Sequence, residues 1–139
     1  MKAFIFDMDG VILDSEPMHN ATLAEIMKDY DIDADDKYLF TFSGLNINAM
    51  FYKIKKEKGL SIPVDVFVKK YNNKILSHVQ TNEVKSINGI YELLINLKKN
   101  NIPTAVASSS PMDFIKANID KLHFNAYFKF LLSGNEVKH

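Results

Sequence analysis

Two carboxylates at the end of an apolar run are the first residues in this chain that could do chemistry. Asp7, Asp9 and Gly10 lie just after the unbroken apolar run at residues 3–6. An apolar run without alternation is typical of a strand covered on both faces in a parallel sheet. Ligand sites of open α/β sheets lie at the carboxyl ends of the strands. The two acids are therefore predicted to lie in an open cleft where the first strand ends.

The spacing of the two acids favours chemistry on phosphate. Residues two apart point the same way in an extended chain, so Asp7 and Asp9 are expected to face one small volume. Their mutual repulsion favours either a proton on one of them or a hard cation such as Mg²⁺ between them. One ionised Asp could attack phosphorus while the other moves a proton. The alternative is a plain turn, which Gly10 would permit.

Composition limits the classes of protein to which this chain could belong. The 139 residues carry 17 basic and 17 acidic side chains, and every basic one is Lys. Because the charges balance, the sequence gives no sign of a basic surface for binding nucleic acid or an anionic membrane. No apolar run approaches membrane-spanning length. The lack of Cys excludes disulfides, thiolate catalysis and cysteine zinc sites. Because acids interrupt the first apolar run, no signal peptide is predicted and a cytoplasmic location is expected.

Hydrophobic spacing divides the chain into a helical insert and an α/β part. Residues 15–83 carry apolar side chains at helical spacing and predict a small all-helical lobe. The sequence after it predicts a helix, a strand at 104–107, a helix after Pro111 and a strand at 130–132. The predicted organisation is therefore an α/β core from residues 1–14 and 84–139, interrupted by the helical lobe.

Three serines after the second predicted strand form a second candidate site. Ser108 is the first polar residue after a buried strand, at the sheet edge expected for Asp7. The N-terminus of the next helix suits an anion, so the Ser108 hydroxyl and the Ser109 N–H could hold phosphate oxygens. Ser110 is predicted to cap that helix, with Pro111 as its first residue. The alternative is that all three are ordinary turn and cap residues.

These motifs resemble those of the haloacid dehalogenase superfamily. Its opening motif is similar to FIFDMDGVILDSEPMH at residues 4–19, and its second motif is similar to VASSS at residues 106–110. Ser43-Gly44-Leu45 resembles the cap loop of the β-phosphoglucomutase-like branch. The resemblance implies a Rossmann-like parallel sheet with an inserted all-helical cap. It also implies that the chain corresponds to the N-terminal part of a usual member, with about three of the strands.

The resemblance further implies a role for each matching residue. Asp7 would be the nucleophile that forms an aspartyl-phosphate, and its carboxylate would bind Mg²⁺. Asp9 would be the general acid/base and would bind Mg²⁺ through its backbone carbonyl. Ser108 would hold the transferring phosphoryl group, with Ser109 and Gly10 as further phosphate-binding candidates. The expected activity is Mg²⁺-dependent hydrolysis of a small phosphorylated metabolite.

Two residues of the predicted cap, Gly44 and His19, are candidates for contact with the substrate. Gly44 lies in the loop that the resemblance places facing the active site. His19 follows the expected hinge, and a partly exposed helix histidine is the alternative. Phosphomutases of this branch place a basic residue, usually Arg, shortly after the cap-loop glycine, whereas residues 45–47 here are Leu, Asn and Ile. Because the chain contains no Arg, hydrolysis is favoured over mutase chemistry.

Two other functional classes compete with a hydrolase. A receiver-like signalling domain also uses clustered Asp and Mg²⁺, but its phospho-acceptor lies on a later strand and it has no large helical insert. The second competing class is a fragment without turnover. In the family, the third motif supplies a Lys and the fourth motif supplies acidic metal ligands, and both lie beyond the third strand. Lys138 is close to that Lys in position, but without the Gly-Lys-Pro context it is interpreted as a solvated lysine. Without further strands, the first strand would lie at an edge and favour self-association.

Overall fold

The computed structural model describes residues 3–136 of the chain. The predictions made for Lys138 and for the two N-terminal residues concern residues outside that range. The elements in chain order are β1 (Phe4–Phe6), α1 (Glu16–Lys28), α2 (Asp36–Phe40), α3 (Ile47–Lys58), α4 (Val64–Thr81), α5 (Ile90–Lys99), β2 (Thr104–Ser108), α6 (Met112–Lys121) and β3 (Phe130–Ser133). Short 3₁₀ turns at Asn125–Tyr127 and Gly134–Glu136 precede and follow β3.

The three strands form one parallel sheet in the order β1-β2-β3. Phe6 pairs with Val106, and Val106 pairs with Leu131. Helical chain connects β1 to β2 and β2 to β3 and returns each time to the start of the next strand, as parallel pairing requires. The predicted α/β class is confirmed, and β1 lies at an edge of the sheet among the described residues.

Within residues 3–136, only one face of this sheet is covered. Phe6 and Val106 are buried on that face, together with apolar side chains of α5 and α6. On the other face, Ile5 is 70% exposed and Phe130 is 66% exposed, and both pair with Ala105. The prediction that the first strand is covered on both faces is therefore wrong for the described residues. Apolar composition indicates that a strand can be buried, but it does not supply the element that would cover it.

The structure separates into two compact units, which are described one at a time. The helical unit runs from Glu16 to His78, and the sheet unit comprises the chain up to Ser15 and from Val79 onward. The helical unit ends at His78, before residue 83, where the sequence predicts its end. The end of α4 groups with the sheet unit, where the Lys121 ammonium donates to the Gln80 carbonyl at 2.9 Å.

The helical unit has its own apolar core. Helix α4 contributes Phe67 and Tyr71, and Phe67 packs on Phe51 of α3 with ring centroids 5.4 Å apart. Ion pairs join α1 to α4, with the Lys74 ammonium 3.2 Å from the Glu25 carboxylate. Each of these contacts lies within residues 16–78, so the helices of the insert pack on one another.

No helix among residues 3–136 is both long enough and apolar enough to cross a membrane.

Candidate active site

The chain leaves β1 through a tight loop that is anchored by buried apolar side chains. Met8, Ile12 and Leu13 are fully buried, and the Met8 carbonyl accepts the N–H groups of Ile12 at 2.9 Å and Leu13 at 3.0 Å. Gly10 has a φ of +73°, which residues with a Cβ rarely adopt. The Gly10 N–H donates to the Leu13 carbonyl at 2.9 Å. That N–H is used within the loop, where Gly10 supplies the turn; its role at phosphate stays a prediction.

Asp7 and Asp9 occupy different environments in this loop. Strand geometry ends at Phe6, so the alternation expected of an extended chain does not extend to the two acids. Asp7 is exposed, and its Oδ1 accepts the Met8 N–H at 2.7 Å. Asp9 is half-buried, and its Oδ2 accepts the Ser110 hydroxyl at 2.8 Å. One acid is thus available to an incoming group, while the other is held by protein.

The end of β2 provides the hydroxyls that lie against Asp9. Ser108 is buried, and its Oγ is 3.5 Å from the Asp9 Oδ2, a long contact. The Ser108 Oγ also accepts the Ser110 N–H at 3.1 Å.

Helix α6 begins at Met112 with Pro111 as its N-cap and no side-chain cap bond. The prediction that Ser110 caps this helix is therefore wrong, because its hydroxyl binds Asp9 instead. Ser109, exposed beside Ser108, has no described contact with Asp9.

The end of β3 adds a residue that the sequence did not single out. Ser133 is buried next to Ser108 in the sheet register, and its hydroxyl donates to the Ser110 carbonyl at 2.7 Å. The Asn135 N–H donates to the Ser133 Oγ at 3.3 Å. Ser133 is, like Ser108, the first polar residue after an apolar run, and that shared position was the available signal. The ends of all three strands therefore meet in one hydrogen-bonded cluster, formed by Asp9, Ser108, Ser110 and Ser133.

The two cap candidates lie in the helical unit. Gly44 is exposed with a φ of +75°, and the hydroxyl of its neighbour Ser43 donates to the Glu16 carboxylate. His19 is half-buried, and its Nδ1 is 2.6 Å from the Tyr71 hydroxyl, so its ring contacts another helix of the same unit. Asn46 is the N-cap of α3, and its side chain accepts the Ala49 N–H at 3.0 Å.

A match to a protein family identifies the kind of fold to which these strand ends belong. The family described as haloacid dehalogenase-like hydrolase matches residues 4–139, nearly the whole chain. This chain belongs to the haloacid dehalogenase-like hydrolase family. The resemblance of the two motifs to that family is thereby confirmed.

Individual relatives of this haloacid dehalogenase-like chain include proteins named as phosphatases and mutases. A phosphorylated carbohydrates phosphatase of Thermotoga maritima is 24% identical over all of this chain and 64% of its own length. The structure of CbbY from Rhodobacter sphaeroides in complex with phosphate has a TM-score of 0.83 at 16% identity, covering 100% of this chain and 66% of that one. A β-phosphoglucomutase of Clostridium difficile has a TM-score of 0.78 at 25% identity, covering 100% and 64%. The chain thus spans about two thirds of the length of these relatives.

The donor set of this haloacid dehalogenase-like site suits a hard cation. Within residues 3–136, no group of three or more His, Cys, Asp or Glu side chains could hold a metal ion. Mg²⁺, however, is commonly bound by one or two carboxylates together with waters and substrate phosphate. The exposed Asp7 carboxylate and the backbone carbonyl of Asp9 are such oxygen donors. The residues present therefore fit Mg²⁺ held jointly with a phosphorylated substrate.

The loop glycine offers a test that separates site geometry from stability. Gly10 and Gly59 both have a φ of +73°, and a Cβ on either would meet nothing within 4 Å. Alanine at either position should cost about 1 kcal/mol of unfolding free energy from backbone strain alone. Only Gly10→Ala should also lower the phosphate ester hydrolysis that the family resemblance implies, because it strains the loop that carries Asp7 and Asp9. Denaturant unfolding and initial rates on both variants check this, and equal activity in the two would contradict the role given to the loop.

Proposed function

We propose that this protein is a Mg²⁺-dependent phosphomonoester hydrolase that acts through an aspartyl-phosphate on a small phosphorylated metabolite. One observation carries the proposal: an exposed Asp7 lies two residues from an Asp9 that is held by hydroxyls at the end of the next strand. Membership of the haloacid dehalogenase-like hydrolases and the phosphatases among the relatives support it.

The first half-reaction assigns a separate task to each acid. The Asp7 carboxylate attacks phosphorus, an Asp7–phosphate bond forms, and the bond to the ester oxygen breaks. Asp9 in its protonated form gives its proton to that oxygen, so that an alcohol leaves instead of an alkoxide. The exposed position of Asp7 supports its role as nucleophile, and the hydroxyl contacts of Asp9 support a role in proton transfer.

The second half-reaction restores both groups. A water attacks phosphorus while Asp9, now ionised, takes a proton from that water. The Asp7–phosphate bond breaks and inorganic phosphate leaves. During both steps the Ser108 hydroxyl and the Ser109 N–H would donate to the phosphoryl oxygens, next to the N-terminus of α6. The Ser108 hydroxyl is well suited to this, because its only described acceptor is the distant Asp9 Oδ2 at 3.5 Å.

Bound Mg²⁺ would reduce the charge repulsion between the Asp7 carboxylate and the phosphate dianion. The Asp7 carboxylate and the Asp9 backbone carbonyl would hold it. The residues Gly44 and His19 remain our candidates for substrate contact from the helical unit.

Hydrolysis is the preferred reaction class over phosphoryl transfer between two sugar positions. A mutase needs a second site for the far phosphate, and Arg is the side chain that best fits a phosphate through two parallel hydrogen bonds. The chain has no Arg, and Asn46, near the place where such a residue would be expected, caps helix α3. We therefore propose a monophosphate as substrate.

Metal removal tests this proposal most simply. The natural gene product that carries this sequence should hydrolyse p-nitrophenyl phosphate and small sugar phosphates when Mg²⁺ is present. EDTA should lower the rate by at least about 100-fold, since metal stabilisation of transition-state charge is worth several kcal/mol. Added Mg²⁺ should restore the rate, whereas Ca²⁺, which prefers more ligands at longer distances, should not. Undiminished hydrolysis in EDTA would rule out the metal-dependent mechanism.

A further inference from the structure

We infer that Ser110 is a positioning residue that orients the Asp9 carboxylate for proton transfer. The inference rests on the proposed function, in which Asp9 is the general acid/base. It adds a residue that takes part in neither nucleophilic attack nor phosphate binding. The contact joins two segments 101 residues apart in sequence, the loop after β1 and the loop after β2.

The geometry distinguishes Ser110 from its neighbour. The Ser110 Oγ is 2.8 Å from the Asp9 Oδ2, the usual distance for a hydroxyl donating to oxygen. The Ser108 Oγ is 3.5 Å from the same atom, where such a bond is weak. The two hydroxyls therefore have separate tasks: Ser110 binds the carboxylate, and Ser108 is left to donate to phosphate.

The backbone of Ser110 is fixed on both sides. Its N–H donates to the Ser108 Oγ at 3.1 Å, and its carbonyl accepts the Ser133 hydroxyl at 2.7 Å. Ser133 and Ser108 are 1% and 7% exposed, so both anchors lie in the packed end of the sheet. A hydroxyl presented from a backbone held in this way restricts the rotamers that Asp9 can adopt.

Restriction of the Asp9 side chain matters because the described contacts that hold the loop are made by its backbone and by neighbouring apolar side chains. In sequence, Asp9 lies between Met8 and Ile12, whose side chains are fully buried. Asp9 itself is half-buried. Proton transfer requires the acid within hydrogen-bond reach of the leaving oxygen, and small misplacements are costly. Ser110 supplies a direct hydrogen bond that constrains the direction of this carboxylate.

Two aryl phosphates that share the phenyl phosphate core and differ in the acidity of the leaving phenol test the inference on the natural gene product that carries this chain. Phenyl phosphate needs a proton on its leaving oxygen much more than p-nitrophenyl phosphate does. Ser110→Ala should lower kcat for phenyl phosphate about 10-fold more than for p-nitrophenyl phosphate, with KM little changed. Ser110→Thr retains a hydroxyl and should recover most of that loss. Ser133→Ala, which removes the bond to the Ser110 carbonyl, should give the same pattern with a smaller effect.

A second measurement does not depend on turnover. Crystal structures of the unmodified protein and of Ser110→Ala should show Asp9 in one rotamer in the first and in a different or divided set of rotamers in the second. If Ser110→Ala does not fold, the Ser133→Ala structure serves the same comparison.

The outcomes separate this inference from the proposed function. An equal loss for both substrates, no loss for either, or an unmoved Asp9 carboxylate in the Ser110→Ala structure would overturn the positioning role. If the unmodified protein hydrolyses neither substrate, the proposed function fails, and the crystal structures alone then decide whether Ser110 orients Asp9.

Discussion

Asp7→Asn is expected to abolish phosphatase turnover, with a fall in kcat of at least about 10⁴-fold, as is usual when a nucleophile is removed. A neutral amide cannot attack phosphorus, and it would also weaken the proposed binding of Mg²⁺. Initial rates with p-nitrophenyl phosphate measure the loss in the natural gene product that carries this sequence.

The fold should survive this substitution. The Asp7 carboxylate is exposed, and its described bond is the one accepted from the Met8 N–H, which an amide oxygen can accept equally well. Asp14→Asn is the matched control, because Asp14 is an exposed acid in the same stretch of chain and its own N–H pairs with the Lys85 carbonyl. Both variants should unfold at nearly the same denaturant concentration as the unmodified protein. Substantial hydrolysis by Asp7→Asn would remove Asp7 from its assigned role.

The 139-residue chain expressed by itself is expected to self-associate. Among the residues that the structure describes, the sheet has an unpaired edge at β1 and a bare apolar face on which Ile5 and Phe130 are 70% and 66% exposed. An edge strand with free N–H and C=O groups is a template for pairing with another chain, and contiguous exposed apolar surface drives association. We propose that two copies meet through β1 and this face. Sedimentation velocity over a range of protein concentrations should detect dimers or larger species.

A pair of variants identifies the surface responsible. Ile5→Lys places a charge on the bare face and should shift the population towards monomer. Phe40→Lys is the matched control, because Phe40 is also 70% exposed but lies in the helical unit. It should leave the association unchanged. A concentration-independent monomer for the unmodified chain, or an equal effect of both variants, would contradict this prediction.

The positions of the two site loops follow from local sequence patterns. Residues 3–6 and 104–107 are short apolar runs that end in polar residues, and parallel pairing brings such ends to one edge of a sheet. The turn at Gly10 and the left-handed end of α3 at Gly59 follow from the same kind of local signal. These features depend on a few neighbouring residues, so a single sequence contains enough information to predict them.

The features that sequence reasoning missed depend on partners distant in the chain. Ser110 is of a residue type that commonly caps helices, yet its hydroxyl binds Asp9, which follows a different strand. Ser133 is an ordinary strand-terminal serine until the sheet register places it beside Ser108. Ile5 is of a residue type that is usually buried, but it is exposed, since nothing in residues 3–136 covers it. A short polar side chain takes whichever partner the fold brings near, and local spacing does not encode that choice.

Trapping the proposed aspartyl-phosphate tests the central claim most directly. The gene product that carries this sequence is mixed with substrate and Mg²⁺, quenched in acid and reduced with borohydride, which converts an acyl phosphate of Asp into homoserine. Peptide mass spectrometry should then find homoserine at position 7 in the unmodified protein and none in Asp7→Asn. Turnover of substrate with no modified Asp7, or with the modification on another carboxylate, would contradict the account.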